Sequence, residues 1–327
     1  MVDQILVEVT RGGVRESVHR GVAAVVDGDG NLIRAWGDPA QLIFPRSAMK
    51  PLQSLVLAEA GAQLSSQQWA LSGASHDGEA MHRERVEAWL EALGHQAADL
   101  ACGPAWPQHG QTRMQMIRAG QGPLRVIHNC SGKHCGQLAL CKHNGWTHEG
   151  YDKADHPAQK AMLIRLAELA GEEPSALGVD GCSLPAPQIS LYGFGRMIGQ
   201  IAKAAQTGGS AAETVISAAI THPELTGGSK QWNGVLTKAA KGALYAKTGA
   251  EGVFSVTAPK AGYGIVVKIT DGATRASEVA TAGVIAQMAQ ALGVEKSTFE
   301  AFSDLRQNNA DGIDVGAVRF VGGPGQA

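Results

Sequence analysis

The stretch RGVAAVVDGDGNLIRAW, residues 20–36, sets the architecture. Two runs of β-formers, 20–27 and 31–36, flank Asp27-Gly28-Asp29-Gly30, a turn sequence that predicts a hairpin. Residues 4–10 add a strand before it, and 252–258 and 262–270 return to strand character near the other end. The chain between them has helical spacing. Met49, Leu52, Leu55, Val56 and Ala60 predict a helix over 48–60 stopped by Gly61, and 82–93 is amphipathic and closed by Gly94. Further helices are expected at 132–143, 157–170, 186–205, 210–221 and 229–240, and at about 275–292 after the Asp271-Gly272 turn. Strands at both ends with helices between them imply one sheet drawn from both termini and an inserted helical region, an α/β or α+β layered fold. The expected organisation is one domain, 1–327, with a sheet lobe from about 1–45 and 245–327 and a helical lobe from about 46–244. No glycine fingerprint leads from a strand into a helix, so a dinucleotide site is not expected.

Composition narrows the function. Of 327 residues, 44% are hydrophobic and 18% charged, which excludes a disordered class. The formal net charge is −2 and there is no long Lys/Arg run, so nucleic acid is not an expected partner. No apolar stretch is long enough to span a membrane. The opening MVDQILVEVTRGG reads as a strand without the basic start of a signal peptide, so the cytoplasm is expected. Five cysteines, an odd number, suit thiols or metal ligands better than a disulfide framework.

Four segments carry candidate chemistry. In Arg46-Ser47-Ala48-Met49-Lys50, a helix starting at Ser47 would place Lys50 one turn away on the same face. A lysine held neutral by burial or a nearby cation can take a serine proton; the same serine could instead simply cap a helix after Pro45. Lys247-Thr248-Gly249, ahead of the strand at Val253, matches the K-T-G that follows S-x-x-K in serine hydrolases and supplies a cation and a hydroxyl. The alternative there is a surface turn. Ser72–Glu79 (SGASHDGE) crowds Ser75 and His76 among small and acidic residues, as a substrate-touching loop would. A β-lactamase would carry S-x-N where this chain has Ser75-His76-Asp77. His128–Gly136 (HNCSGKHCG), with the distant Asp180-Gly181-Cys182, has thiols that suit zinc. Its spacing matches no standard metal motif. Cys102, Cys135 and Cys141 read as small hydrophobes.

Taken together these segments resemble the L-asparaginase II family, the Rhizobium-type (class 3) asparaginases. The resemblance rests on P-R-S-x-x-K-P-x-Q at Pro45–Gln53, S-x-x-S-H-x-G-E at Ser72–Glu79, C-S-G-K-H-x-G at Cys130–Gly136, D-G-C at Asp180–Cys182 and K-T-G-A-E-G-V at Lys247–Val253. It implies a fold similar to serine β-lactamases and glutaminases, and hydrolysis of L-asparagine to L-aspartate and ammonia. It implies two Ser–Lys tandems, Ser47 with Lys50 and Ser75 with Lys247. It also implies a zinc ion held by Cys130, Lys133 and Cys182 with water, and a homodimer. In that scheme the lysines depress each other's proton affinity, Lys50 takes the Ser47 proton and Ser47 attacks the side-chain amide, while Ser75 positions or relays protons. The opposite assignment, Ser75 attacking, stays open. Arg46, His76, His128 and Asp180 are candidates for binding the substrate, with zinc orienting its α-amino and α-carboxylate groups. The rivals are a glutaminase or another serine amidohydrolase of the same fold, and a zinc-binding protein without turnover.

Overall fold

The computed structural model describes residues 3–326. Its strands are β1 (Gln4–Arg11), β2 (Val14–Asp27), β3 (Leu32–Trp36), β4 (Leu42–Ile43), β5 (Ala176–Val179), β6 (Pro185–Ser190), β7 (Tyr245–Thr248), β8 (Val253–Ala258), β9 (Tyr263–Ile269), β10 (Asp304–Asn308) and β11 (Asp314–Phe320). The main sheet runs β10-β11-β1-β2-β9-β8-β7, with β3 also on β2, and every pairing is antiparallel. Both ends of the chain supply it, as the hairpin at 20–36 and the later strands predict.

β2 is the spine of this sheet. Its apolar half pairs with β9 on one side and β3 on the other. Val22, Ala24 and Val26 enter the core shared with the helical region, whereas Ala23 and Val25 enter a second core on the opposite face. Successive strand side chains point to opposite faces, so an unbroken apolar run suits a strand buried on both sides.

The helices are α1 (Lys50–Glu59), α2 (Ser66–Ser72), α3 (Ala80–Leu93), α4 (Gly110–Arg118), α5 (Ser131–Asn144), α6 (Pro157–Ala170), α7 (Leu191–Ala204), α8 (Ala211–Thr221), α9 (Pro223–Thr226), α10 (Trp232–Ala239), α11 (Thr274–Gln287), α12 (Ala289–Leu292) and α13 (Lys296–Phe302). α7 lays Leu191, Phe194, Met197, Ile198 and Ile201 inward and packs on β2 and β9. α11 covers the other face, with Val279, Val284 and Ile285 in the second core.

Three departures from the sequence expectations have physical causes. The helix expected over 186–205 begins only at Leu191, because Pro185 and Pro187 suit an extended segment and Ser190 Oγ accepts from Gly193 N as an N-cap. The helix expected from Ala48 starts as a 3-10 turn, Arg46–Met49, and becomes α-helical at Lys50 with Pro51 in its first turn. β10 and β11 were not expected. β10 is a polar edge strand (DLRQN) whose residues alternate between exposed and half-buried, so it carries no apolar signal.

Candidate active site

Three elements bring the site together. The 3-10 turn Arg46–Met49 leads into α1, the loop after α2 carries Ser75, and β7 ends in Lys247-Thr248 at the edge of the main sheet. Gly249 explains how closely they meet. A Cβ there would lie 2.9 Å from Pro45 O and 3.0 Å from Ala48 N, so only glycine lets the edge strand pass the turn. Ser255 Oγ on β8 donates to Ala48 O at 2.8 Å and ties the turn to the sheet. Ser75 N, His76 N and Asp77 N donate to Thr226 O, Asn129 O and Gly227 O, which pins the serine loop from both sides.

Ser75 Oγ lies 2.8 Å from Lys50 Nζ and 2.7 Å from Lys247 Nζ. Lys50 Nζ also donates to Ala74 O at 2.5 Å and to Cys130 Sγ at 3.1 Å. Lys247 Nζ has one further partner, Thr248 O, at 2.7 Å. Both lysines are buried. Burial lowers the Lys50 pKa against the opposing pull of Cys130. Burial, then the Lys50 charge, drives Lys247 well below the ordinary lysine value.

Ser47 is placed differently. Its carbonyl accepts from Lys50 N, but among the described residues its hydroxyl forms no hydrogen bond, neither to Lys50 nor as a helix cap. The residue before it, Arg46, has φ +52°, a left-handed conformation that a side chain rarely adopts and that tends to collect at functional sites. Ser47 and Ser75 face one cavity of about 400 Å³, whose walls also include Asn129, Trp232, Thr248, Gly249 and Glu278.

Behind Ser75 the three expected metal ligands converge. Lys133 Nζ, in the first turn of α5, donates to Cys182 Sγ at 2.8 Å, and all three residues are buried. A hydrogen bond from Cys182 lowers the Cys130 thiol pKa against the opposing effect of burial, and Lys50 and Lys133 lower it further. Burial opposes charge on Lys133, yet the facing sulfurs raise its pKa. α5 reaches this position because Gly132 lets it press on α2; a Cβ there would lie 2.6 Å from Leu71 O.

The four expected substrate-binding residues are not in the cavity wall. Arg46 and Asp180 bind each other, Nη2 to Oδ1 at 2.7 Å, and Asp180 Oδ1 also accepts from Gly181 N in the turn that presents Cys182. His128 Nδ1 accepts from Cys130 N at 3.0 Å and so shapes the start of α5. His76 is fully buried, with Nε2 on Ser131 Oγ at 2.9 Å and its ring stacked on His82 at 4.7 Å. Consecutive residues of an extended loop point to opposite sides, so placing Ser75 in the cavity turns His76 away from it. Burial holds His76 neutral. Among the wall residues, Asn129 and Thr248 sit inside quoted motifs, whereas Trp232 and Glu278 have no local sequence signal.

A family model for L-asparaginase II matches residues 7–320. The chain belongs to the L-asparaginase II family. Membership makes it an amidohydrolase. No curated protein matches this chain. Among solved structures it is similar to a β-lactamase from Mycobacterium bovis, at 14% identity over 83% of this chain and 95% of that one, with a TM-score of 0.44. It is also similar to a structure described as Mglu in its native form, at 14% identity over 89% of this chain and 69% of that one, with a TM-score of 0.45.

Proposed function

We propose that this protein hydrolyses L-asparagine to L-aspartate and ammonia through a serine–lysine centre. The observation that carries the reading is Ser75 Oγ held between Lys50 and Lys247, on the wall of a cavity sized for a small molecule.

The hydrogen-bond inventory supports one division of roles. Lys50 Nζ faces three acceptors, Ala74 O, Ser75 Oγ and Cys130 Sγ, which uses all three hydrogens of an ammonium group. Lys247 donates to Thr248 O, and burial beside a charged Lys50 favours its neutral amine. Its lone pair can then accept the Ser75 proton. Ser75 attacks the side-chain amide carbon, Lys247 takes the proton and passes it to the departing ammonia, and water then releases aspartate. Lys50, on which Cys130 favours charge against the larger cost of burial, would stabilise the negative oxygen that develops when it carries its proton.

A second assignment of the attacking group has its own observation. Ser47 has an unpartnered hydroxyl on the same cavity wall and follows a strained residue, Arg46. In that version Ser75 relays the Ser47 proton to Lys247. Ammonia release by Ser47→Ala and Ser75→Ala separates the two. Trapping an acyl-enzyme and mapping the modified serine decides which hydroxyl attacks. Comparing asparagine with glutamine decides between an asparaginase and a glutaminase.

Zinc is part of the proposal. Cys130 and Cys182 supply soft sulfur donors and Lys133 a nitrogen beside them, a set that fits zinc once Lys133 and Cys182 lose their protons. When bound, zinc would supply a positive charge behind Ser75 and tie together the segments that carry its ligands. Metal analysis of Cys130→Ala and Cys182→Ala tests this; undiminished zinc in both would overturn the ligand set. Five free, buried cysteines suit a reducing compartment and support a cytoplasmic setting. Among the described residues no helix is long and apolar enough to cross a membrane. The family resemblance carries a homodimer with it, which sedimentation would test.

A further inference from the structure

We infer that Glu278 is the subsite for the α-ammonium group of the substrate. The inference deepens the asparaginase reading and rests on it.

Glu278 lies one turn into α11, four residues after Thr274, so both side chains share a face, and both line the cavity that holds Ser47 and Ser75. It is the one carboxylate in that wall. Among the described residues it forms no hydrogen bond and no ion pair. Other sheltered carboxylates of this protein are partnered. Asp180 has Arg46, Glu8 has Arg15 and Arg319, and Glu79 accepts from Ser229 N. A half-buried anion without a partner is costly unless something else supplies the charge. Burial alone pushes its pKa up to about 7, the direction a carboxylate takes when no cation is near it.

Among the described residues no side chain of the wall pairs with Glu278. Lys230 also lines the cavity but forms no ion pair with Glu278, and Lys50 and Lys247 are committed around Ser75. A free amino acid can supply the cation. Its ammonium group satisfies Glu278, its side-chain amide reaches Ser75, and its α-carboxylate is left for the hydroxyls of Ser47 and Thr248 and for Lys230. This arrangement excludes amides that lack an α-amino group. The substrate class is therefore the amide of a free α-amino acid, and not amides in general.

The test compares L-asparagine with succinamate, which is asparagine without the α-amino group, on the wild type and on Glu278→Gln. A charge-assisted hydrogen bond lost from binding predicts a KM for asparagine about 10- to 100-fold higher in E278Q. The kcat/KM for succinamate, low in the wild type, should not fall in E278Q and should rise, because an uncompensated negative charge beside an anionic substrate is removed. Equal losses on both substrates, or no loss on asparagine, would overturn the inference. Calorimetric binding of L-aspartate against succinate to the wild type keeps the two proposals separable, and needs no variant. A preference for L-aspartate without any ammonia release would refute the asparaginase reading and support the subsite. Ammonia release without that preference would refute the subsite alone. Thermal melts verify that E278Q folds; the isosteric change removes an unpaired charge and should not lower stability.

Discussion

Lys247 Nζ lies 2.7 Å from Ser75 Oγ, and the residue that bears it has no exposed surface. To take the Ser75 proton, Lys247 must be a neutral amine, which its burial favours. The expected kcat/KM therefore rises with pH as Lys247 loses its proton, and levels off above that depressed pKa. Lys247→Arg replaces the amine with a permanently charged group. It should lower kcat at least about 100-fold, with no recovery at high pH. A K247R enzyme that regains activity in alkali would remove Lys247 from the role of base.

The same burial has a cost in stability. Folding lowers the Lys247 pKa below its value in the unfolded chain. Between the two values the unfolded chain binds a proton that the folded protein does not, so stability rises with pH across that window. Lys247→Met keeps the volume and removes the linkage. It should be inactive yet melt at a higher temperature than the wild type near neutral pH, with a shallower rise in stability as pH increases. Calorimetric melts at several pH values measure both effects.

Gly249 sets the spacing between the edge strand and the turn that bears Ser47. The methyl group of Gly249→Ala would lie 2.9 Å from Pro45 O, which is backbone and cannot swing aside. Overpacking of this kind costs about 1–3 kcal/mol. Denaturant unfolding should show that loss, and kcat should fall with it because the turn moves relative to Ser75. Normal activity in a destabilised G249A would mean that the turn and the edge strand need not keep their spacing.

The Arg46–Asp180 pair is about a quarter exposed on the Arg46 side, so its strength is moderate. Its position matters more. Asp180 Oδ1 also holds Gly181 N, two residues before Ser183 with its φ of +74°. Asp180→Ala should cost about 1–2 kcal/mol by leaving Arg46 and the turn unsatisfied. It should also weaken zinc retention by freeing Cys182. Dialysis against a chelator, followed by metal analysis, would reveal the second effect.

The sequence alone determined the sheet's spine, because GVAAVVDGDGNLIRAW carries both an apolar run and its turn. It also determined which segments meet: the motifs around Ser47, Ser75, Cys130, Cys182 and Lys247 are short, ordered and chemically distinctive. It could not read β10, whose edge position leaves it polar, nor the start of α7, where Ser190 and the two prolines override the helical spacing. Tertiary structure alone decided how the side chains share partners. Ser47 and Lys50 are neighbours by spacing, yet the Lys50 nitrogen turns to Ser75, Ala74 and Cys130. Arg46 and Asp180, both legible as charges, neutralise each other across 134 residues of chain. Glu278 is an unremarked acid in a helix of small residues until the fold sets it in the cavity wall. Spacing along a chain fixes which side chains can meet, while hydrogen-bonding and desolvation in the folded interior fix which of them do.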